Sequence, residues 1–182
     1  MTGNRPLVET MISIENNEDI DAGVEGLRPL IEAVVANDTI RGVLQGDWAG
    51  HALHPAIVVL PLGLWSSATT LDLIRPGRAT ESAQLLTGLG ILSTLPAVLT
   101  GAAEISTATQ KQKRVGLIHV LANSTALGLQ VGSWVARRAG HHRSGTALSL
   151  AAVAMMSWGG YLGGHLSVAR KVGSHDPAFG EE

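Results

Sequence analysis

The stretch PAIVVLPLGLWSSATTLDLI, residues 55–74, decides the fold class: twenty residues with a single charge, Asp72, near the far end. At a helical rise of about 1.5 Å per residue it measures about 30 Å, the thickness of a bilayer's hydrocarbon core. A soluble helix of this length would carry a polar stripe toward water, and this one has only scattered hydroxyls. Three further stretches read the same way, at residues 83–105, 115–136 and 145–169, with Glu104 the only Asp, Glu, Lys or Arg among them. Basic residues mark the ends: Arg75 and Arg78, then Lys111, Lys113 and Arg114, then Arg137, Arg138 and Arg143, then Arg170 and Lys171. Connections this short make sequential helices antiparallel neighbours. The expected fold is all-α, an integral membrane up-down four-helix bundle with an amphipathic N-terminal helix.

Composition agrees. Glycine is abundant, at 22 residues, while Phe, Trp and Tyr together make up 3 % of the chain. A soluble core would use more aromatics, whereas small residues let helices approach closely in lipid. The acid is concentrated at the start. Residues 1–54 carry Glu9, Glu15, Glu18, Asp19, Asp21, Glu25, Glu32, Asp38 and Asp47 against three arginines. Residues 1–25 lack sustained periodicity and read as a mobile acidic tail. Within 26–54, Leu27, Leu30, Ile31, Val34 and Val35 fall at helical spacing, an amphipathic helix that lies on the membrane surface, on a partner, or on its own bundle. Residues 55–170 form the membrane domain and 171–182 a short tail.

Several function classes are excluded or disfavoured. There is no cysteine, hence no disulfide and no thiolate site in this chain. The absence of a basic run argues against nucleic acid. No basic stretch leads into an apolar one at the N-terminus, so the first span is expected to direct insertion. The flanking charges, six on the side of the termini against five opposite, lean toward both termini in the cytoplasm. No nucleophile has a base at hand and no glycine loop cradles a phosphate, so the chain is not expected to be an enzyme by itself.

The four-span topology brings ionisable groups to one leaflet. His51 and His54 lie at the start of the first span and Glu104 at the end of the second. His119 lies about 6 Å into the third, and His165 lies similarly near the end of the fourth. Such groups inside spans are costly and are usually paired or functional, and imidazoles from facing helices hold haem or metals in bundles. Asn123, one turn after His119, shares its face and is placed to fix that ring's tautomer. Gly159, Gly160, Gly163 and Gly164 leave a smooth surface beside His165. Each histidine also has a bland reading, as a helix cap or a satisfied core residue, and the glycines as a close-packing face. Asp72 reads as a local ion pair with Arg75, Gln130 as interhelical glue, and Pro61 and Pro96 as kinks.

The segment Gly46-Asp47-Trp48-Ala49-Gly50-His51-Ala52-Leu53-His54-Pro55, continued by Leu60-Pro61-Leu62-Gly63-Leu64-Trp65 and Leu71-Asp72, resembles a family of four-span bacterial membrane proteins marked by a GHPLHP-type motif. Gly116-Leu117-Ile118-His119 with Asn123, Arg137-Arg138, and Gly159-Gly160-Tyr161-Leu162-Gly163-Gly164-His165-Leu166 continue the likeness over residues 27–173. Two positions depart from the pattern: Ala52 stands where a proline is usual, and no tyrosine follows His165. The family has no settled activity. Some members are fused to a Rieske-type iron–sulfur domain, so the resemblance implies a redox setting in the bacterial cytoplasmic (inner) membrane. A Rieske-type or other redox partner would then be a separate protein. The motif histidines map to His51, His54, His119 and His165.

Three functional readings follow. The first is an electron-transfer subunit binding haem b between histidines of different helices, with His119 and His165 the best pair. The second is a non-haem transition-metal site on His51, His54, His119, His165 and Glu104. The third is a non-catalytic anchor that docks a partner through its acidic N-terminal segment. A transport role would call for a homo-oligomer.

Overall fold

The computed structural model of the chain describes residues 5–173, all helix and connecting turns, with no strand among the described residues. Three short helices come first: α1 (Pro6–Asn16), α2 (Asp21–Val34) and α3 (Asp38–Gln45). The one-turn helix α4 (His54–Ile57) leads into α5 (Val59–Ile74), followed by α6 (Thr80–Ser106), α7 (Gln110–Arg138) and α8 (His142–Gly164). Helix α8 passes without a break into a π-helical turn, His165–Ala169.

Local chemistry sets these boundaries. The break between α4 and α5 lies just before Pro61, which has no N–H to give the carbonyl of Ile57. By contrast, Pro96 is accommodated inside an unbroken α6. A capping box starts α7: Thr109 accepts from the Gln112 amide, and the Gln112 side chain accepts from Thr109 N at 2.8 Å. Gly46 ends α3 at φ +84°, and a Cβ there would come within 2.3 Å of the His51 carbonyl oxygen, so only glycine fits.

Among the described residues, three helical stretches are long and apolar enough to cross a membrane: His54–Ile74, Thr80–Ser106 and Gln110–Arg138. The expected fourth, α8, is long enough at 23 residues but less apolar, because Gly, Ser, Trp and Tyr dilute its leucines and alanines. The four long helices nonetheless share one interior: α5 packs on α6 and α8, α6 on α7, and α7 along the length of α8.

The distribution of side chains is that of a membrane bundle. Large apolar residues point outward, among them Leu60, Leu73, Leu85, Leu92, Leu95 and Leu121. Buried positions hold small or polar residues instead: Ala68, Ala83, Thr87, Ala103, Ala126, Ser133 and Ser149. In water this arrangement would leave the apolar surface unpaid; in lipid it is the favoured one. Close approach is visible where α5 meets α6, since a Cβ on Gly90 would sit 2.3 Å from Trp65 Nε1. The interior hydroxyls spend their protons on their own helices, Thr69 on the Trp65 carbonyl and Thr87 on that of Ala83.

The N-terminal region departs from expectation. Residues 1–25 read as a tail, yet Pro6–Asn16 is helix α1, with Met11 and Glu15 buried. Met11 joins Val115, Leu162, Leu166 and Val172 in a core cluster at one end of the bundle. Periodicity missed α1 because its burial depends on distant partners rather than on an apolar stripe of its own. Helices α2 and α3 also pack on this end, against α6 and α7, and Gln45 donates to the Ala103 carbonyl at 2.9 Å. Of the placements open to the amphipathic segment, the observed one is on its own bundle. Residues 1–4 of the expected tail and most of 171–182 lie outside the described residues.

Candidate functional site

Each histidine singled out in the sequence has a definite place at this capped end. His54 opens α4. Its amide donates to Glu104 Oε1 at 2.9 Å, so Glu104, a buried carboxylate on α6, caps the start of the first long helix through the main chain. The His54 ring meets α6, with Nδ1 2.8 Å from the Ala97 carbonyl oxygen. A carbonyl can only accept, so Nδ1 carries the proton and Nε2 of the neutral ring keeps its lone pair. Gly101 makes room for this ring, since a Cβ there would lie 2.9 Å from His54 Cε1.

His119 repeats the arrangement on α7. Its Nδ1 lies 2.9 Å from the Gly159 carbonyl oxygen of α8, which again makes Nε2 the acceptor, here with Asn123 Nδ2 3.3 Å away. Gly163 receives this ring, with Cε1 3.0 Å from an added Cβ. Asn123 does share the face of His119. Its amide nitrogen lies 3.3 Å from both ring nitrogens and donates to the His119 carbonyl at 2.8 Å; the Gly159 carbonyl holds the proton on Nδ1, the tautomer an amide facing Nε2 also favours. Asn123 also occupies the surface of Gly159, so two of the four glycines are filled by α7 side chains, while Gly160 and Gly164 face open space. The two imidazoles approach edge to face, with centroids 6.2 Å apart.

His165 is engaged elsewhere. Its Nε2 lies 2.7 Å from Glu15 Oε1, and Arg170 grips the same carboxylate through Nε at 2.6 Å and Nη2 at 2.5 Å. The histidine expected to partner His119 therefore ties α1 to the end of α8. Burial pushes the Glu15 carboxyl up, but the Arg170 and His165 hydrogen bonds outweigh it and hold the group below the ordinary carboxylate range. A second tie lies beside it. Arg114 holds Asp21 through two bonds of 2.7 Å, Gln110 adds a third at 2.8 Å, and these contacts lower the Asp21 carboxyl to about 2. His51 is exposed in the turn before α4, with Nδ1 3.2 Å from the Ala52 carbonyl oxygen.

Among the described residues, no three or more of His, Asp and Glu come together as a metal-binding group. The structure thus joins His54 and His119, places Glu104 on the main chain of one of them, and sends His165 and His51 to other contacts. The carbonyls of Ala97 and Gly159, which orient the pair, carry no sequence signal. Glycines 101 and 163, each spaced to clear an imidazole, were the available hint.

A second polar cluster occupies the opposite end. Arg137, 1 % exposed, forms a two-pronged ion pair with Asp72 and donates to Ser133 Oγ at 3.1 Å. Ser133 donates to the Gly145 carbonyl, and Ser149 to Gln130 Oε1 at 3.1 Å. The expected Asp72–Arg75 pair is thus replaced by Asp72–Arg137. Arg75 is exposed beyond the helix end, whereas Arg137 enters from α7 on the buried side.

A family model described as "Predicted membrane protein (DUF2231)" matches residues 50–176, well over half of the chain. The chain belongs to that family. No curated protein and no solved structure matches. The DUF2231 match begins at Gly50, so His51, His54, Glu104, His119 and His165 all fall inside it, while α1, α2 and α3 lie outside.

Proposed function

We propose that this DUF2231 protein is a four-span redox subunit of the bacterial cytoplasmic membrane, with both termini in the cytoplasm, in which His54 and His119 hold haem b or a transition metal. The observation that carries the reading is the matched pair of imidazoles. Both rings fix their Nδ1–H on a main-chain carbonyl of a neighbouring helix, the outer-shell arrangement that orients ligating histidines. Both Nε2 atoms are thereby acceptors, that of His119 with the Asn123 amide 3.3 Å away for a ligand to displace, and the centroids lie 6.2 Å apart. Two metal–nitrogen bonds of about 2 Å each require roughly such a separation. A bound haem or metal would supply one-electron chemistry. The chain's own contribution is to orient the two rings, exclude water with the Met11–Leu166 cluster, and present the site near a surface where a Rieske-type or other redox protein could dock.

The test is an absorption spectrum together with metal analysis on detergent-purified protein made with haem supplied. A Soret band or a stoichiometric metal supports the reading; a colourless, metal-free protein contradicts it.

A second reading, an anchor that docks a partner through its N-terminal segment, has one observation in its favour. Leu30, Ile40, Val43 and Trp48 are more than half exposed on the cap. Deleting residues 1–45 would then abolish association with the partner, while alanine at His54 and His119 would leave it intact.

A further inference from the structure

The end of the bundle away from the histidines carries a cleft that neither reading uses. It lies between the α5–α6 and α7–α8 connections and has a volume of about 630 Å³, lined among others by Thr80, His141, His142, Arg143 and Ser144. A recess of about 240 Å³ adjoins it through Thr80 and adds Arg78 and the carboxylate of Glu81. The larger volume falls within the ~300–1,000 Å³ usual for small ligands.

Two arginines, two imidazoles and the hydroxyls of Thr80, Ser82 and Ser144 bring donors and positive charge to the lining. Arg78 and Arg143 form no ion pair among the described residues, whereas Arg28, Arg41, Arg114 and Arg170 at the other end are all paired. Among the described residues, His142 Nδ1 is buried without a hydrogen-bond partner. The first turns of α6 and α8 both open here, and neither Ala79 nor His141 caps its helix with a side chain, so their amides are left to other acceptors. Glu81 is the one carboxylate against two arginines and two imidazoles. The cleft sits where the long helices end, the level of lipid headgroups, and arginine guanidinium groups pair strongly with phosphate oxygens.

We propose that this cleft binds a phosphate group, that of an anionic phospholipid headgroup, through Arg78, Arg143 and the donors around His142. Free phosphate shares the chemistry, and the experiment separates the two sources. Purified protein is placed in nanodiscs or detergent with phosphatidylglycerol, with phosphatidylcholine, or with inorganic phosphate, and bound species are counted by native mass spectrometry. The expected result is phosphatidylglycerol retained over phosphatidylcholine, with retention falling about tenfold in Arg78→Gln and in Arg143→Gln separately. Lys171→Gln, at the other end, leaves it unchanged. Both arginines are exposed, so neither substitution removes a packed side chain. Retention of inorganic phosphate with the same arginine dependence supports the site and assigns it to a free anion. Equal retention of every probe by wild type and both variants overturns the proposal.

Discussion

The two ends of this bundle use the same interaction, an arginine gripping a carboxylate with two hydrogen bonds, to different effect. At the histidine end the pairs are Arg170–Glu15 and Arg114–Asp21, and one partner of each is substantially exposed, 44 % for Arg170 and 35 % for Asp21. They hold separate helices, α1 and α2, onto the bundle. At the loop end the pair is Arg137–Asp72, with side chains 0 % and 6 % exposed and a serine network behind it. That pair is part of the interior itself. A pair with one exposed partner can exchange that partner for water and acts as a tether, whereas a pair buried on both sides cannot lose a partner without stranding a charge. The capped end is thus built to be held closed, and the loop end to be fixed.

Substitutions can break this contrast. The largest effect is expected at the loop end: Arg137→Ala or Asp72→Ala alone should cost about 3–5 kcal/mol, read from unfolding midpoints in detergent. Replacing both together with Met and Leu should cost far less, because no charge is left unpaired. Next is Gly90→Ala, which sets a methyl against the Trp65 indole and forces α5 from α6, at about 1–3 kcal/mol in the same assay. Smaller and more local is Glu15→Ala. Hydrogen exchange in α1 should rise about tenfold while the bundle's midpoint hardly moves. If the midpoint falls as far as in Arg137→Ala, the distinction between tether and interior is wrong.

Acid should loosen the cap first. The Asp21 carboxyl is lowered from its ordinary 3.8 to about 2, and Glu15 is lowered too. A depressed carboxyl contributes stability above its ordinary value, which is lost as pH falls toward the folded value. The cap should therefore stay docked above about pH 4 and loosen toward pH 2, seen as new pepsin cleavage in α1 and α2 ahead of any in α5 to α8. The smallest effect belongs to Arg28→Ala. Its pairs with Glu25 and Glu32 are about two-thirds exposed, and no measurable change in stability is expected.

The sequence made some of this legible and hid the rest for identifiable reasons. Residues 55–74, 83–105 and 115–136 could be read as spans because lipid demands unbroken apolar length, a local property. Helix α8 was located correctly as an element, although its glycines, which admit His119 and Asn123, reduce the very hydropathy by which a span is recognised. Topology alone put His54, Glu104, His119 and His165 at one end. Which of them meet was not legible, because partners come from far along the chain: Glu15 reaches His165 across 150 residues, and Asp72 reaches past its neighbour Arg75 to Arg137. Helix α1 was hidden for the same reason. Its buried acid makes sense only once Arg170 is beside it.

The proposed function rests most heavily on the pairing of His54 with His119 rather than of His119 with His165. The direct measurement is the low-spin haem spectrum, or the metal content, of three purified variants made with haem or metal supplied: His54→Ala, His119→Ala and His165→Ala. The predicted result is loss of the bis-imidazole signal or bound metal in the first two, with the third retaining it. Loss in His165→Ala with retention in His54→Ala would contradict the account.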